Sequence, residues 1–170
     1  ESVVFVIDQS GSIGAVCGAF FDASDPASGS KFGTALRELL GAVDALDDDV
    51  EVNVILFETG VRSWRRSPER LSESTRKALR AYLGKQQPGG ATNLYDALER
   101  ALRTPDIETV VLLSDGMPSH ARLVAPDEIL AAVNAMNARR GVVIHCVSIG
   151  GASPLLRRLA ADNDGEYVTR

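Results

Sequence analysis

Continuous apolar runs that alternate with helix-like segments constrain the fold of this 170-residue chain more than any other feature. Val3–Ile7, Thr109–Leu113 and Val142–Ile149 are short runs dominated by Val, Ile and Leu, a pattern typical of strands buried on both faces. Between them, apolar residues recur at helical spacing, for example over 32–46 and 94–102. The alternation predicts an α/β fold: a doubly wound, mostly parallel central sheet of about six strands, with one short antiparallel edge strand and helices on both faces.

Capping residues and further apolar runs predict the other elements. Residues suited to helix starts are Ser30, Ser72, Asn93, Pro126 and Ser153. Further strands are predicted at Val50–Phe57, Val61–Arg65 and Glu166–Thr169, and Val61–Arg65 is the expected edge strand. The Arg-rich stretch Arg62–Arg70 is interpreted as a solvated edge.

Size, charge and cysteine content exclude several classes of protein. The length predicts one domain over residues 1–170, and a start at Glu1, directly before a strand and without Met, suggests a domain excised from a longer protein. A net charge of −5 and the lack of a basic stripe alternating with aromatics argue against a nucleic-acid partner. Apolar runs are far shorter than the ~20 residues that span a bilayer. Cys17 and Cys146 form neither a disulfide framework nor a zinc ligand set, and two free thiols are expected.

Oxygen-bearing side chains follow three of the predicted strands or turns. They lie in the segments Asp8–Ser12, Gly89–Thr92 and Ser114–Gly116. In an open α/β sheet, ligands bind at the carboxyl ends of the strands. Hydroxyls and carboxylates without thiol or imidazole suit Mg²⁺ or Mn²⁺ rather than zinc or copper. So few charges leave a bound ion electrophilic, and it would accept a further carboxylate from outside.

These three segments resemble the von Willebrand factor A domain and its metal-ion-dependent adhesion site. The family pattern is Asp-x-Ser-x-Ser at the end of the first strand, a Thr in a later loop and an Asp, usually followed by Gly, after the fourth strand. This chain presents DQSGS at residues 8–12, Thr92 within GGATNLYDAL and Asp115 within LLSDG, in that order.

The resemblance implies a role for each matching residue. Ser10 and Ser12 would ligate the metal through their hydroxyls, and Thr92 would do so directly or through water. Asp8 and Asp115 would act mainly through water or by hydrogen bonding to the serines. The ion would be Mg²⁺ or Mn²⁺, with Ca²⁺ as a further candidate, and a Glu or Asp of a partner protein would take its open position. The expected function is metal-dependent protein–protein interaction, as in adhesion, and not catalysis.

The resemblance also bears on the class of partner. Bacterial members of the family act as subunits of larger assemblies, commonly with ATPases of the AAA+ class. An Ala-, Arg- and Asp-rich composition without paired terminal cysteines favours a bacterial member here. An AAA+ ATPase or another subunit of a larger assembly is therefore an expected partner.

The segment Ala15–Ser30 departs from the usual pattern, because loops at this place commonly run about 2–6 residues. Phe20 and Phe21 are candidates for contact with a partner. Asp22 and Asp25 are candidate carboxylates for the open metal position. An insertion without contact to the site is the alternative, and the sequence leaves both open.

Two enzyme classes share parts of this pattern. A phosphatase of the haloacid dehalogenase type also begins with a strand that ends in Asp and binds Mg²⁺, but it needs a second carboxylate two residues on, where this chain has Ser10. A serine hydrolase would use Ser10, Asp115 and His145 in that order, but Asp8 replaces the first Gly of the G-x-S-x-G elbow. Phosphate-binding glycine motifs are absent after the first strand.

Several of these residues could also have purely structural roles. Asp8 and Ser10 can cap a turn, and Thr92 and Asn93 can each cap a helix. Asp96 is expected in a first helical turn, where the helix dipole favours an anion. His145 falls inside a predicted strand and is expected to be a hydrogen-bonded core residue rather than a ligand.

Overall fold

The structure is a computed structural model that describes residues 1–13 and 30–170. Within these ranges it contains seven strands and five helices. The strands are β1 (Ser2–Asp8), β2 (Glu51–Phe57), β3 (Val61–Ser63), β4 (Glu69–Arg70), β5 (Thr109–Ser114), β6 (Val143–Ser148) and β7 (Tyr167–Thr169). The helices are α1 (Lys31–Ala45), α2 (Glu73–Leu83), α3 (Leu94–Leu102), α4 (Pro126–Asn137) and α5 (Pro154–Asp162).

The strands form one sheet in the order β3-β2-β1-β5-β6-β7, with β4 paired to β2. Pairing is parallel along the path from β2 to β7, and β3 and β4 run antiparallel to β2. The predicted doubly wound, mostly parallel sheet with an antiparallel edge strand is therefore confirmed. Of the seven strands, only β4 was not predicted, because its two residues are too few to give a periodic pattern.

β1 lies at the centre of the sheet, and all seven of its residues are buried. Its side chains alternate between two apolar layers, as the two-residue period of a strand requires. Val4 and Val6 pack into the layer with α3, α4 and α5, whereas Val3, Phe5 and Ile7 pack into the layer with α1 and α2. Two-sided burial explains why β1 is apolar throughout instead of alternating with polar residues.

Serine caps begin three of the five helices as predicted. The hydroxyls of Ser30, Ser72 and Ser153 accept hydrogen bonds from backbone N–H groups three residues ahead, and Pro126 is the first residue of α4. The longest helix in the described ranges, α1, has 15 residues, and none of the described helices is long and apolar enough to cross a membrane.

Asn93 begins α3 as predicted, but without a capping hydrogen bond from its side chain. Asn93 holds the cap position, but with ψ at 65° its backbone is not extended and its side chain makes no capping bond. Its amide instead donates to the carbonyl of Thr59 and to the carboxylate of Asp96. Asp96 lies in the first turn of α3, as predicted. Asn93 thus ties this helix start to the turn that follows β2.

Cys146 is buried in β6, and Cys17 lies outside the described residues. Burial raises the pKa of the Cys146 thiol to about 12, because the thiolate would lose its hydration. Since the thiolate is the reactive form, this cysteine is an inert packing residue.

Leu98 of α3 is fully buried against the sheet, so its truncation tests this apolar layer. We expect Leu98→Ala to lower the free energy of unfolding by about 2–5 kcal/mol, because the cavity can collapse only partly. Val124→Ala, at a side chain that is 38% exposed, serves as the control and is expected to change it by less than about 0.5 kcal/mol. Urea denaturation measures both, and equal effects of the two substitutions would contradict this account of the core.

Candidate metal centre

A buried carboxylate, Asp8, joins the ends of the two central strands. Asp8 has no exposed surface; its Oδ2 accepts a hydrogen bond from Ser114 Oγ at 2.6 Å and its Oδ1 accepts one from the Ser10 backbone N–H at 2.8 Å. Burial raises the pKa of Asp8, the hydrogen bonds from Ser10 and Ser114 oppose that effect, and the charge of Asp115 adds to it. Because each of its oxygens accepts one of these bonds, Asp8 positions the serine loop and the end of β5.

The hydroxyls of Ser10 and Ser12 lie side by side at the end of β1. Their oxygens are 3.0 Å apart; Ser10 is buried and Ser12 is exposed. Two neighbouring ligands of an octahedral ion at about 2.1 Å are separated by about 3.0 Å. The spacing of these two hydroxyls therefore fits adjacent corners of a magnesium or manganese coordination shell.

The Gly89–Thr92 segment is held against the serine loop by backbone hydrogen bonds. Gly11 N donates to the Gly90 carbonyl at 3.0 Å, and Gly89 N donates to the Gln9 carbonyl at 2.8 Å. Gly90 has a φ of +73°, and a Cβ there would lie 2.6 Å from a carboxylate oxygen of Glu58, so this turn requires glycine. Thr92 follows the turn directly and is buried beside the same edge.

Ser119 is a supporting residue that the sequence did not reveal. Its hydroxyl accepts a hydrogen bond from Thr92 N at 3.0 Å, and its own N–H donates to the Thr92 carbonyl at 3.1 Å. The two residues are 27 positions apart, and a lone serine in the loop after β5 carries no local signal. The loop after β5 thereby holds the backbone of Thr92 in place.

Asp115 presents a carboxylate oxygen that lacks a hydrogen-bond partner. Its Oδ1 accepts a hydrogen bond from Met117 N at 3.2 Å, whereas the buried Oδ2 has no hydrogen-bond partner among the described residues. The nearest cation is Lys31, whose Nζ lies 3.8 Å from this oxygen. A buried charged acceptor without a donor is costly, and a bound cation would satisfy it.

Lys31 was also missed, because it lies far from the motif in sequence. It is the first residue of α1, and its side chain crosses Gly150, where an added Cβ would lie 2.5 Å from Lys31 Cε. The small residue at position 150 thus lets the lysine approach the carboxylate of Asp115. No sequence pattern links a helix start to the loop after β6.

The structure brings the predicted ligands to one edge of the sheet. Direct hydrogen bonds join Asp8 to Ser10 and to Ser114, the neighbour of Asp115. Within residues 1–13 and 30–170 no three His, Cys, Asp or Glu side chains could together hold a metal, so this donor set consists largely of hydroxyls. The candidate partner contacts Phe20, Phe21, Asp22 and Asp25 lie outside the described residues.

His145 does not belong to this edge. It lies on β6 three residues before Ser148, the residue that pairs with Ser114, and its Nδ1 accepts a hydrogen bond from Glu166 N at 3.0 Å. His145 is hydrogen-bonded, as predicted, although half-buried rather than in the core.

Comparison with known families assigns the fold to a family. The family model described as von Willebrand factor type A domain matches residues 19–169. The chain belongs to the von Willebrand factor type A domain family. Its members are metal-dependent adhesion and protein-interaction modules. The inter-alpha-trypsin inhibitor heavy chain H2 of Mus musculus is 30% identical over 112 residues, which cover 56% of this chain and 12% of that protein.

Solved structures of von Willebrand factor type A domains share the fold. A von Willebrand factor type A protein from Catenulispora acidiphila superposes with a TM-score of 0.76 at 23% identity, over 99% of this chain and 38% of that one. A manganese-loaded TRAP protein from Plasmodium vivax gives a TM-score of 0.63 at 17% identity, over 99% and 67%. At these identities the likeness establishes the fold.

Removal of the Ser114 hydroxyl tests the link between β1 and β5. We expect Ser114→Ala to lower the free energy of unfolding by about 1–3 kcal/mol, because Asp8 Oδ2 would stay buried without a donor. Ser67→Ala, at an exposed serine on the far side of β3, is the matched control and is expected to have little effect. Urea denaturation of both variants in EDTA measures the difference; a Ser114→Ala variant as stable as the control would show that this hydrogen bond is dispensable.

Proposed function

We propose that this domain is a metal-dependent protein–protein interaction module. Ser10, Ser12 and Thr92 ligate Mg²⁺ or Mn²⁺, and Asp8 and Asp115 act through water or through hydrogen bonds. A Glu or Asp of a partner protein completes the coordination. The observation that carries this proposal is the unpartnered buried oxygen of Asp115 at the edge where two hydroxyls lie 3.0 Å apart.

The chain's own residues keep the charge of this shell low. Each carboxylate oxygen of Asp8 accepts one hydrogen bond, from Ser10 or from Ser114, and Asp8 therefore orients the serine loop instead of acting as a direct ligand. The hydroxyls of Ser10 and Ser12 are uncharged as metal ligands. A divalent ion held by such a set supplies an electrophilic open position, which favours binding of an external carboxylate.

The relatives support the same type of site. Membership in the family makes metal-dependent interaction the expected activity, and the similar TRAP protein from Plasmodium vivax is described as manganese-loaded. A partner of the AAA+ class, a bacterial origin and Ca²⁺ as the ion stay predictions from the resemblance. Because the chain spans only 12% of the H2 heavy chain, the activity of a whole relative is not transferred to it.

Calorimetric titration tests the metal site. With chain purified in EDTA and dialysed, we expect Mg²⁺ or Mn²⁺ to bind with a stoichiometry of one. Ser10→Ala is expected to weaken binding about tenfold or more, because it removes a ligand oxygen, and Ser12→Ala is expected to do the same.

Ser67→Ala is the matched control for this titration, since it removes an exposed hydroxyl far from the site and is expected to bind the ion like the wild type. Absence of binding by the wild type, or binding by Ser10→Ala that equals the control, would overturn the proposed ligand set. Circular dichroism of each variant establishes that a loss of binding is not a loss of fold.

The proposal makes the domain a binding module rather than an enzyme. A phosphatase of the haloacid dehalogenase type needs a proton donor two residues after Asp8, and Ser10 cannot protonate a leaving group at neutral pH. A serine hydrolase needs a base beside Ser10. His145 lies on β6 and instead accepts a hydrogen bond from the backbone N–H of Glu166.

A phosphatase assay separates these classes. With p-nitrophenyl phosphate and Mg²⁺, we expect no phosphate release by the wild type above that of an Asp8→Asn variant, since the second residue after Asp8 is Ser10 and not a carboxylic acid. Turnover that is lost in Asp8→Asn would favour the phosphatase and contradict the binding module.

A further inference from the structure

A groove between β3 and α3 starts beside the candidate metal edge. It has a volume of about 820 Å³. At one end it is lined by Asn93, the residue after Thr92, and at the other by Arg103, Thr104 and Pro105 beyond the end of α3. Val61 and Ser63 of the edge strand form its opposite wall. The groove therefore leads from the metal edge along the length of α3.

The groove is basic, although the chain as a whole is acidic. Four arginines and two acids contribute to its lining, whereas the net charge of the chain is −5. The arginines are Arg65, Arg66, Arg100 and Arg103, and the acids are Asp96 and Glu99.

Both acids of the groove are neutralised within the fold. Arg122 forms ion pairs with Asp96 and Glu99, and Arg103 also pairs with Glu99 at 3.0 Å. Their carboxylates therefore oppose an incoming anion less than isolated acids would. The positive charges of Arg66 and Arg100 have no ion pair among the described residues, unlike those of Arg65 and Arg103.

Two of the arginines carry no ion pair in the described part of the chain. Arg65 is paired with Glu69 and lies over the Trp64 ring at 4.5 Å. Arg66 has no polar partner among residues 1–13 and 30–170, and Arg100 makes only a long hydrogen bond of 3.4 Å to Ser63 Oγ. Both are exposed. Guanidinium groups that the fold itself does not use are suited to bind carboxylates in a bidentate manner.

We propose that this groove binds an acidic peptide segment of the partner protein, next to the acid that reaches the metal. The inference rests on the proposed function, because the same segment is to place one carboxylate on the ion and a second on Arg66 and Arg100. Continuity of the groove with Asn93, one residue from Thr92, gives one peptide access to both.

The length of α3 sets the spacing of the two partner acids. Arg100 lies seven residues after Asn93, which is about 10 Å along the helix at about 1.5 Å per residue. An extended peptide covers about 3.3 Å per residue, so the second acid lies about three to four positions from the first. This spacing distinguishes the proposed segment from a partner that offers a single acid.

Peptide titration followed by amide NMR shifts tests the inference. The probes are the blocked peptides Glu-Gly-Gly-Gly-Glu and Glu-Gly-Gly-Gly-Gln, each with and without Mg²⁺. With Mg²⁺ we expect the two-acid peptide to bind the wild type about tenfold more tightly, because a charge-assisted hydrogen bond is worth on the order of that factor. In the double variant Arg66→Gln/Arg100→Gln, we expect this advantage to vanish.

The double variant Arg70→Gln/Arg139→Gln is the matched control, because it removes two exposed charges outside the groove. It is expected to keep the preference for two acids. The inference is overturned if the groove variant keeps that preference or if neither peptide binds. It is also overturned if a heparin oligosaccharide, used as a third probe, binds while the peptides do not, because the groove would then be a general polyanion surface.

The comparison of peptide binding with and without Mg²⁺ separates this inference from the proposed function. Equal Mg²⁺-dependent binding of both peptides, unaffected by the arginine substitutions, would overturn the groove and retain the metal site. Binding of the two-acid peptide that depends on Arg66 and Arg100 but not on Mg²⁺ would support the groove and contradict the metal-dependent function.

Discussion

The hydrogen bonds of the Asp8 carboxylate are the constraint on which the rest of the site depends. A fully buried carboxylate is costly, and here the cost is offset by one donor from the loop after β1 and one from the end of β5. The two donors, Ser10 and Ser114, are 104 residues apart in sequence, and beyond the paired ends of β1 and β5 this side chain joins their positions directly. The arrangement of the serine hydroxyls and of the Asp115 carboxylate depends on these hydrogen bonds of Asp8.

Most of the fold could be predicted because its strands are buried on both faces and its helices carry local start signals. The run at residues 3–7 is apolar throughout, which favours a central parallel strand. The serine caps predicted the starts of α1, α2 and α5 to within one residue. β4 was not predicted, because two residues are too few to form a pattern. Asn93 holds the predicted cap position of α3, but its side-chain contacts with Thr59 and Asp96 could not be predicted from its residue type.

The candidate site was predictable to the extent that its residues follow strand ends or a glycine turn. Asp8, Ser10 and Asp115 are placed by parallel strands that end at the same edge, and Gly90 places Thr92 through a backbone contact with Gly11. Ser119 and Lys31 were not predictable, because each acts across a long separation and neither has a local signature. The basic groove likewise arises only when α3 and the edge strand meet, so the sequence placed Arg66 in a solvated edge and gave no reason to single out Arg100.

Lys31, beside Asp115, affects how the folding of such a domain is related to the binding of an ion. Lys31 places a positive charge 3.8 Å from the buried carboxylate of Asp115, so the polypeptide itself supplies part of the charge balance at this edge. Under the proposed function, we expect folding to depend less on the supply of ions than in small domains whose structural metal is part of the folding free energy. The chain would then reach its fold under chelating conditions and bind its ion afterwards. Binding of the ion would be a separate, reversible step that can be timed independently of folding.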